Sequence, residues 1–122
     1  MTAATLESIA FQTKDLIGAM ENDGANFSDL RVDGGMVANN WFSQQLANIL
    51  NIDVLRPKVI ETTALGASYL ASMKAGLCPN LESLRSSWVS EKTFCSEEKE
   101  IKILQEKYRI WLSAVERTKG LY

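Results

Sequence analysis

The sequence predicts an α/β fold, and three observations carry that prediction. Helical and strand patterns alternate along the chain as helix, strand, helix, strand, helix. A paired-glycine turn, Asp33-Gly34-Gly35, joins the first strand directly to a helical pattern. The strands are short, and two or three of them make a poor sheet. A parallel sheet wants more neighbours and cover on both faces. Its missing neighbours are therefore expected from another chain or from more of the same polypeptide.

The first helix is expected from Thr5 to about Glu21, with Leu6, Ile9, Ala10, Leu16, Ile17 and Met20 lining one face. Asn22-Asp23-Gly24 ends it, Gly24 being free to take a left-handed cap. A strand over Leu30 to Val32 leads through the glycine turn into a helix from about Val37 to Leu50. Ala38, Trp41, Phe42, Leu46, Ile49 and Leu50 are its expected core face, and Asn51 its cap.

Ile52 to Leu55 reads as a second strand, stopped by Arg56-Pro57. Thr62 or Thr63 then caps a helix to about Ala75, closed by Gly76. This helix has a face of small side chains, Ala64, Ala67, Ser68, Ala71 and Ala75, and a bulkier one, Leu65, Tyr69 and Met73. A small face predicts close packing against another element. Leu81 to about Ser87 reads as a short helix, and Val89 to Phe94 as extended. Ser96 is expected to cap the last helix, whose buried face would be Ile101, Leu104, Tyr108, Trp111, Leu112 and Val115.

Composition narrows the function classes. A chain of 122 residues fits one domain. The net charge is −2 and no basic run occurs, which argues against a nucleic-acid partner. No apolar stretch approaches the roughly 20 residues of a membrane span. Histidine is absent, which removes Ser-His and Cys-His nucleophilic pairs and every His-ligated metal site. Cys78 and Cys95 read as incidental thiols of a reduced protein. Trp41, Trp88 and Trp111 are expected in the core, not as a cofactor stack. No catalytic residue and no metal ligand is assigned.

The stretch Leu30-Arg31-Val32-Asp33-Gly34-Gly35-Met36-Val37-Ala38-Asn39-Asn40 is the candidate site. A strand, a glycine pair and a helix start bring outward-pointing N–H groups to a place where a ligand can approach the main chain. That combination suits a nucleotide, although many α/β proteins use Gly-Gly only to turn.

Several stretches together resemble the C-terminal part of glycerol kinases, of the FGGY carbohydrate kinase family. They are Thr5-Leu6-Glu7-Ser8-Ile9-Ala10-Phe11-Gln12-Thr13, Leu30 to Gly35, Ala38-Asn39-Asn40, Arg56-Pro57 and Glu61 to Ala71, with Trp111 to Arg117 resembling the last helix. The resemblance implies an incomplete C-terminal lobe of the actin-like, sugar kinase and Hsp70 ATPase (ribonuclease H-like) fold. It implies ATP, as Mg-ATP in the complete enzyme, and phosphorylation of glycerol to glycerol 3-phosphate. Gly34 would allow close approach, Gly35 would present its backbone near the α-phosphate and ribose, and Asn39 would reach the adenine with its side-chain amide. Asp33 would order the turn. Met36 stands where the family usually has a smaller residue. Xylulose and gluconate kinases share the glycine turn but lack this Arg-Pro and Thr-Ala-Leu-Gly pattern.

The resemblance also implies what the chain lacks: the first lobe, its phosphate loops, the glycerol pocket and the general-base aspartate. The isolated chain is therefore expected to be inactive. It would divide into a nucleotide-binding α/β unit over about 1–77 and a C-terminal helical extension over about 78–122. The complete enzyme is expected to be a cytoplasmic homo-oligomer that binds ATP or ADP and glycerol, with no nucleic acid and no membrane. Two other readings are a non-catalytic interaction or dimerisation module, and part of another FGGY sugar kinase.

Overall fold

Among the described residues three strands form one sheet in the order β1-β2-β3, where β1 is Asp29–Arg31, β2 is Asp53–Pro57 and β3 is Ser90–Phe94. β1 runs parallel to β2 with Leu30 opposite Val54, and β3 runs antiparallel to it with Phe94 opposite Val54. The helices that accompany them are α1 (Thr2–Asn22), α2 (Asn40–Leu50), α3 (Thr62–Lys74) and α4 (Glu98–Thr118). The structure is a computed structural model and describes residues 2–77, 80, 82 and 88–120. Apart from Glu82, the short helix expected from Leu81 to Ser87 lies outside the described residues, as does Cys78.

The core forms where α2 lies between the sheet and the pair α1 and α4. Phe42, Leu46, Ala47 and Ile49 of α2 meet Ala10 and Phe11 of α1, Val54 of β2, Phe94 of β3 and Leu104 of α4. Each large apolar side chain so buried contributes about 1.5–3 kcal/mol. Polar links tie the same elements. The buried Asn48 accepts through Oδ1 from the Glu97 backbone N–H at 2.9 Å and from Gln44 Nε2 at 3.1 Å. Ser96 donates to Asn51 Oδ1 at 3.1 Å. Asn51 closes α2 in the left-handed conformation, φ 57° and ψ 38°, as its type predicts.

α1 ends as expected, with Ala25 N–H donating to the Met20 carbonyl at 3.0 Å and Gly24 at φ 96°. Its buried face, however, is turned toward two neighbours, α2 and α4, and not one. Phe11 is buried, whereas Leu16 and Met20 are exposed. Phe11, Tyr108 and Trp111 make a trio of rings with centroids 5.8–5.9 Å apart, which holds α4 against α1. Lys107 pairs with Glu7 at 2.6 Å, and the Tyr108 hydroxyl donates to Asp15. Burial, and then the Asp15 carboxylate, push the Tyr108 phenol up to about 12.

Several expected boundaries move. Arg56 and Pro57 do not stop β2 but belong to it, because the bulge between them absorbs the proline opposite Ser90. The last helix is preceded by Glu97, not capped by Ser96, whose hydroxyl is committed to Asn51. Leu112 is exposed. The largest difference concerns α3. No residue of it is buried, and Ala64, Ala67, Ser68, Ala71 and Ala75 are all exposed. The small face predicted to pack closely is buried by no described element, since the sheet ends at β1 and β3.

Candidate functional site

Gly34 adopts φ 86° and ψ 170°, a backbone that side-chain-bearing residues rarely take. Its N–H donates to the Ile60 carbonyl at 2.9 Å, which ties the turn to the segment after β2. Gly35 opens a short 3-10 turn, Gly35–Ala38. A Cβ placed on either glycine would meet only open space, and Gly35 is exposed. The glycine pair therefore has an open face.

Asn39 does not sit within a continuous helix from Val37, as the periodicity suggested. It is extended, φ −78° and ψ 108°, between the 3-10 turn and α2, which it caps. Its Oδ1 accepts from Trp41 N at 3.0 Å and Phe42 N at 3.3 Å. Both neighbours are N–H donors, so the amide orientation is determined. The oxygen is committed to the helix start, and the residue is exposed, which leaves the NH₂ group as its remaining polar function. Ala38 and Trp41 are exposed beside it, not in the core, because the break at Asn39 rotates the start of α2.

Asp33 does order the turn. Its Oδ2 accepts from the Thr62 hydroxyl, joining the end of β1 to the first residue of α3. Thr62 is thus not the cap of α3; Glu61 precedes the helix and makes no side-chain cap bond.

Behind the turn stands Arg56, a residue whose role the periodicity did not disclose. Its residue is only 8% exposed. Nη1 donates to the Val37 carbonyl at 3.0 Å, the Ala38 carbonyl at 3.3 Å and Asn40 Oδ1 at 2.9 Å. Nε pairs with Glu91 of β3 at 3.0 Å, and the guanidinium lies 5.4 Å from the Phe94 ring centroid. A charged residue directly after an apolar strand run was the available signal, and it was spent on ending the strand.

Two concavities flank this region. One of about 300 Å³ lies among Ala38, Arg56, Lys58, Ile60 and Glu91, beside the turn. The other, about 180 Å³ and mainly apolar, lies toward α3 between Val59, Leu65, Tyr69 and Trp88. The first is lined by Ala38 of the turn and by Ile60, whose carbonyl receives the Gly34 N–H, and is the relevant one. Among the described residues no cluster of three or more His, Cys, Asp or Glu is placed to hold a metal ion.

The chain is 49% identical over 121 residues to the glycerol kinase of Fusobacterium nucleatum, covering 95% of this chain and 23% of that protein. It is 47% identical over 122 residues to the glycerol kinase of Ectopseudomonas mendocina, covering 98% and 24%. It therefore spans about a quarter of the length of these curated relatives. Among solved structures, Plasmodium falciparum glycerol kinase with ADP superposes at a TM-score of 0.74 with 33% identity, over 98% of this chain and 24% of that one. Xylulose kinase from Lactobacillus acidophilus superposes at 0.82 with 21% identity, again over 98% and 24%, a likeness of fold alone. Helices α1 to α3 and strands β1 and β2 lie within residues 1–75, which match the C-terminal domain of the FGGY family of carbohydrate kinases, and the chain belongs to that family.

Proposed function

We propose that this chain is the C-terminal part of a glycerol kinase and that its glycine turn receives the adenosine end of ATP or ADP. The open face of Gly34 and Gly35 is the observation that carries the reading. Gly34 gives the close approach, Gly35 presents its backbone toward the α-phosphate and ribose, and Asn39 offers its NH₂ to a ring-nitrogen acceptor of adenine. Because Asn39 Oδ1 is held by α2, the contact to the base is a donor contact. Met36, 45% exposed on the same turn, forms an adaptable apolar wall.

In the complete enzyme the reaction is transfer of the ATP γ-phosphoryl group to glycerol, giving glycerol 3-phosphate. Mg²⁺, when bound with ATP, would neutralise the charge developing on the phosphates. This chain's part is to hold the nucleoside, and it carries no residue to which we assign proton transfer. Alone, it does not turn over. The division into a nucleotide-binding unit over about 1–77 and an extension over about 78–122, a cytoplasmic location and a homo-oligomeric complete enzyme belong to the same proposal.

Addition of ADP to ¹⁵N-labelled protein tests the site. Shifts confined to Gly34, Gly35, Met36 and the Asn39 side chain are expected, and an unchanged spectrum at millimolar ADP overturns the reading. Glycerol-dependent ADP formation from ATP by the purified chain would overturn its inactivity. A second reading, an interaction module, is favoured by the exposed small-residue face of α3. A tight dimer by light scattering whose melting ATP leaves unchanged would support it over the first.

A further inference from the structure

We propose that Arg56 is a positioning residue for the nucleotide site, held in place by Glu91; this rests on the reading of the glycine turn just given. The turn has few bonds of its own. Within it Val37 N–H reaches the Gly34 carbonyl only at 3.3 Å, and Asn39 N–H reaches the Met36 carbonyl at 3.1 Å. Short 3-10 segments have poor hydrogen-bond geometry and are set by their surroundings. Among the surroundings here, one guanidinium makes the most contacts to the end of the turn.

A single Nη1 gathers the carbonyls of Val37 and Ala38 and the side chain of Asn40. These groups bracket Asn39 on both sides. The Ala38 carbonyl belongs to the peptide that enters Asn39, so holding it sets the plane from which the Asn39 side chain departs. The Ser43 hydroxyl adds a second donor to the Val37 carbonyl at 3.1 Å, from inside α2. Asn39 is thereby fixed from behind, on a residue that is exposed.

Arg56 is in turn oriented by a residue far along the chain. Glu91 receives Nε at 3.0 Å from β3, beyond the residues matched by the FGGY C-terminal domain. β3 thus acts on the nucleotide turn through one ion pair and one strand. Lysine cannot replace this arrangement, since an ammonium lacks the planar fork that serves β3 with one edge and the turn with the other.

The test uses the 122-residue chain as wild type, Arg56→Lys and Glu91→Gln, with ADP as the probe. Affinity is read from the Gly34 and Asn39 shifts at a temperature where melting curves show each protein folded. Arg56→Lys is expected to weaken ADP about tenfold and Glu91→Gln about threefold. A purely structural role would lower the melting temperature and leave the affinity of the folded protein unchanged. Folded Arg56→Lys binding as wild type therefore overturns the inference while the nucleotide reading stands. If Arg56→Lys does not fold, Glu91→Gln decides by the same criterion. A wild-type chain that does not respond to ADP overturns both.

Discussion

α2 and α3 each follow a strand of the same sheet and are close in length, 11 and 13 residues, yet they end in opposite environments. Six residues of α2 are buried; none of α3 is. α2 has the sheet on one side and α1 and α4 on the other, whereas α3 packs to no comparable extent against any described element. An apolar, helix-forming sequence does not bury itself. Burial needs a partner, and β1 and β3 close the sheet before one is provided to α3. The glycine turn lies on the α2 side of this divide, where Arg56 holds it, and Thr62 of α3 meets it at Asp33.

The contrast is sharpest in the core. Phe42→Ala, at a position 4% exposed, should cost about 3–5 kcal/mol, which denaturant titration would measure. A loss under 1 kcal/mol would mean that α2 is not the centre of the fold. Asn39→Ala removes the cap of α2 and should cost about 1 kcal/mol. It should also abolish the ADP-induced shift at the turn, and the two effects would be separated by comparing the melting curve with the NMR titration.

Tyr108 gives a pH-dependent test of the α1–α4 contact on the packed side. Its phenol is raised from 10.0 to about 12 in the folded chain, mainly by burial and then by Asp15. Its contribution is therefore complete below about pH 10 and is lost as pH rises toward 12, because the unfolded chain sheds the proton first. Lys14 acts in the opposite sense. Burial lowers its ammonium below 10.5 by more than Glu21 raises it, so its part of the stability grows as pH rises to 10.5. Tyr108→Phe should abolish the alkaline fall attributable to the phenol, as read from melting temperatures between pH 9 and 12.

The smallest effect belongs to α3. Leu70→Ala, at a position 64% exposed, should change stability by no more than about 0.5 kcal/mol. A substantially larger loss would show that α3 is covered in solution, as the interaction-module reading requires.

Much of this was legible in the residues themselves. The caps at Gly24 and Asn51 follow from residue types that tolerate positive φ, and both are where the pattern put them. The glycine turn, its position between strand and helix and its ordering by Asp33 were readable from Leu30 to Asn40. What local patterns could not report was the direction from which each element is covered. Phe11 is buried because α4 returns from about a hundred residues away to meet α1, and no window around Phe11 contains Tyr108 or Trp111. Arg56 was legible as a motif but not as the support of the turn, since Val37 and Asn40 lie 19 and 16 positions before it.

The sequence by itself determined the alternation of helices and strands, the glycine turn between them and the kinship with the carbohydrate kinases, because these rest on local backbone preference and on residue identities in order. Tertiary structure alone decided that a guanidinium from β2 reaches the turn from behind and that no described element buries α3. Those depend on which groups meet in space, and hydrogen bonds and burial are properties of the pair, not of either residue.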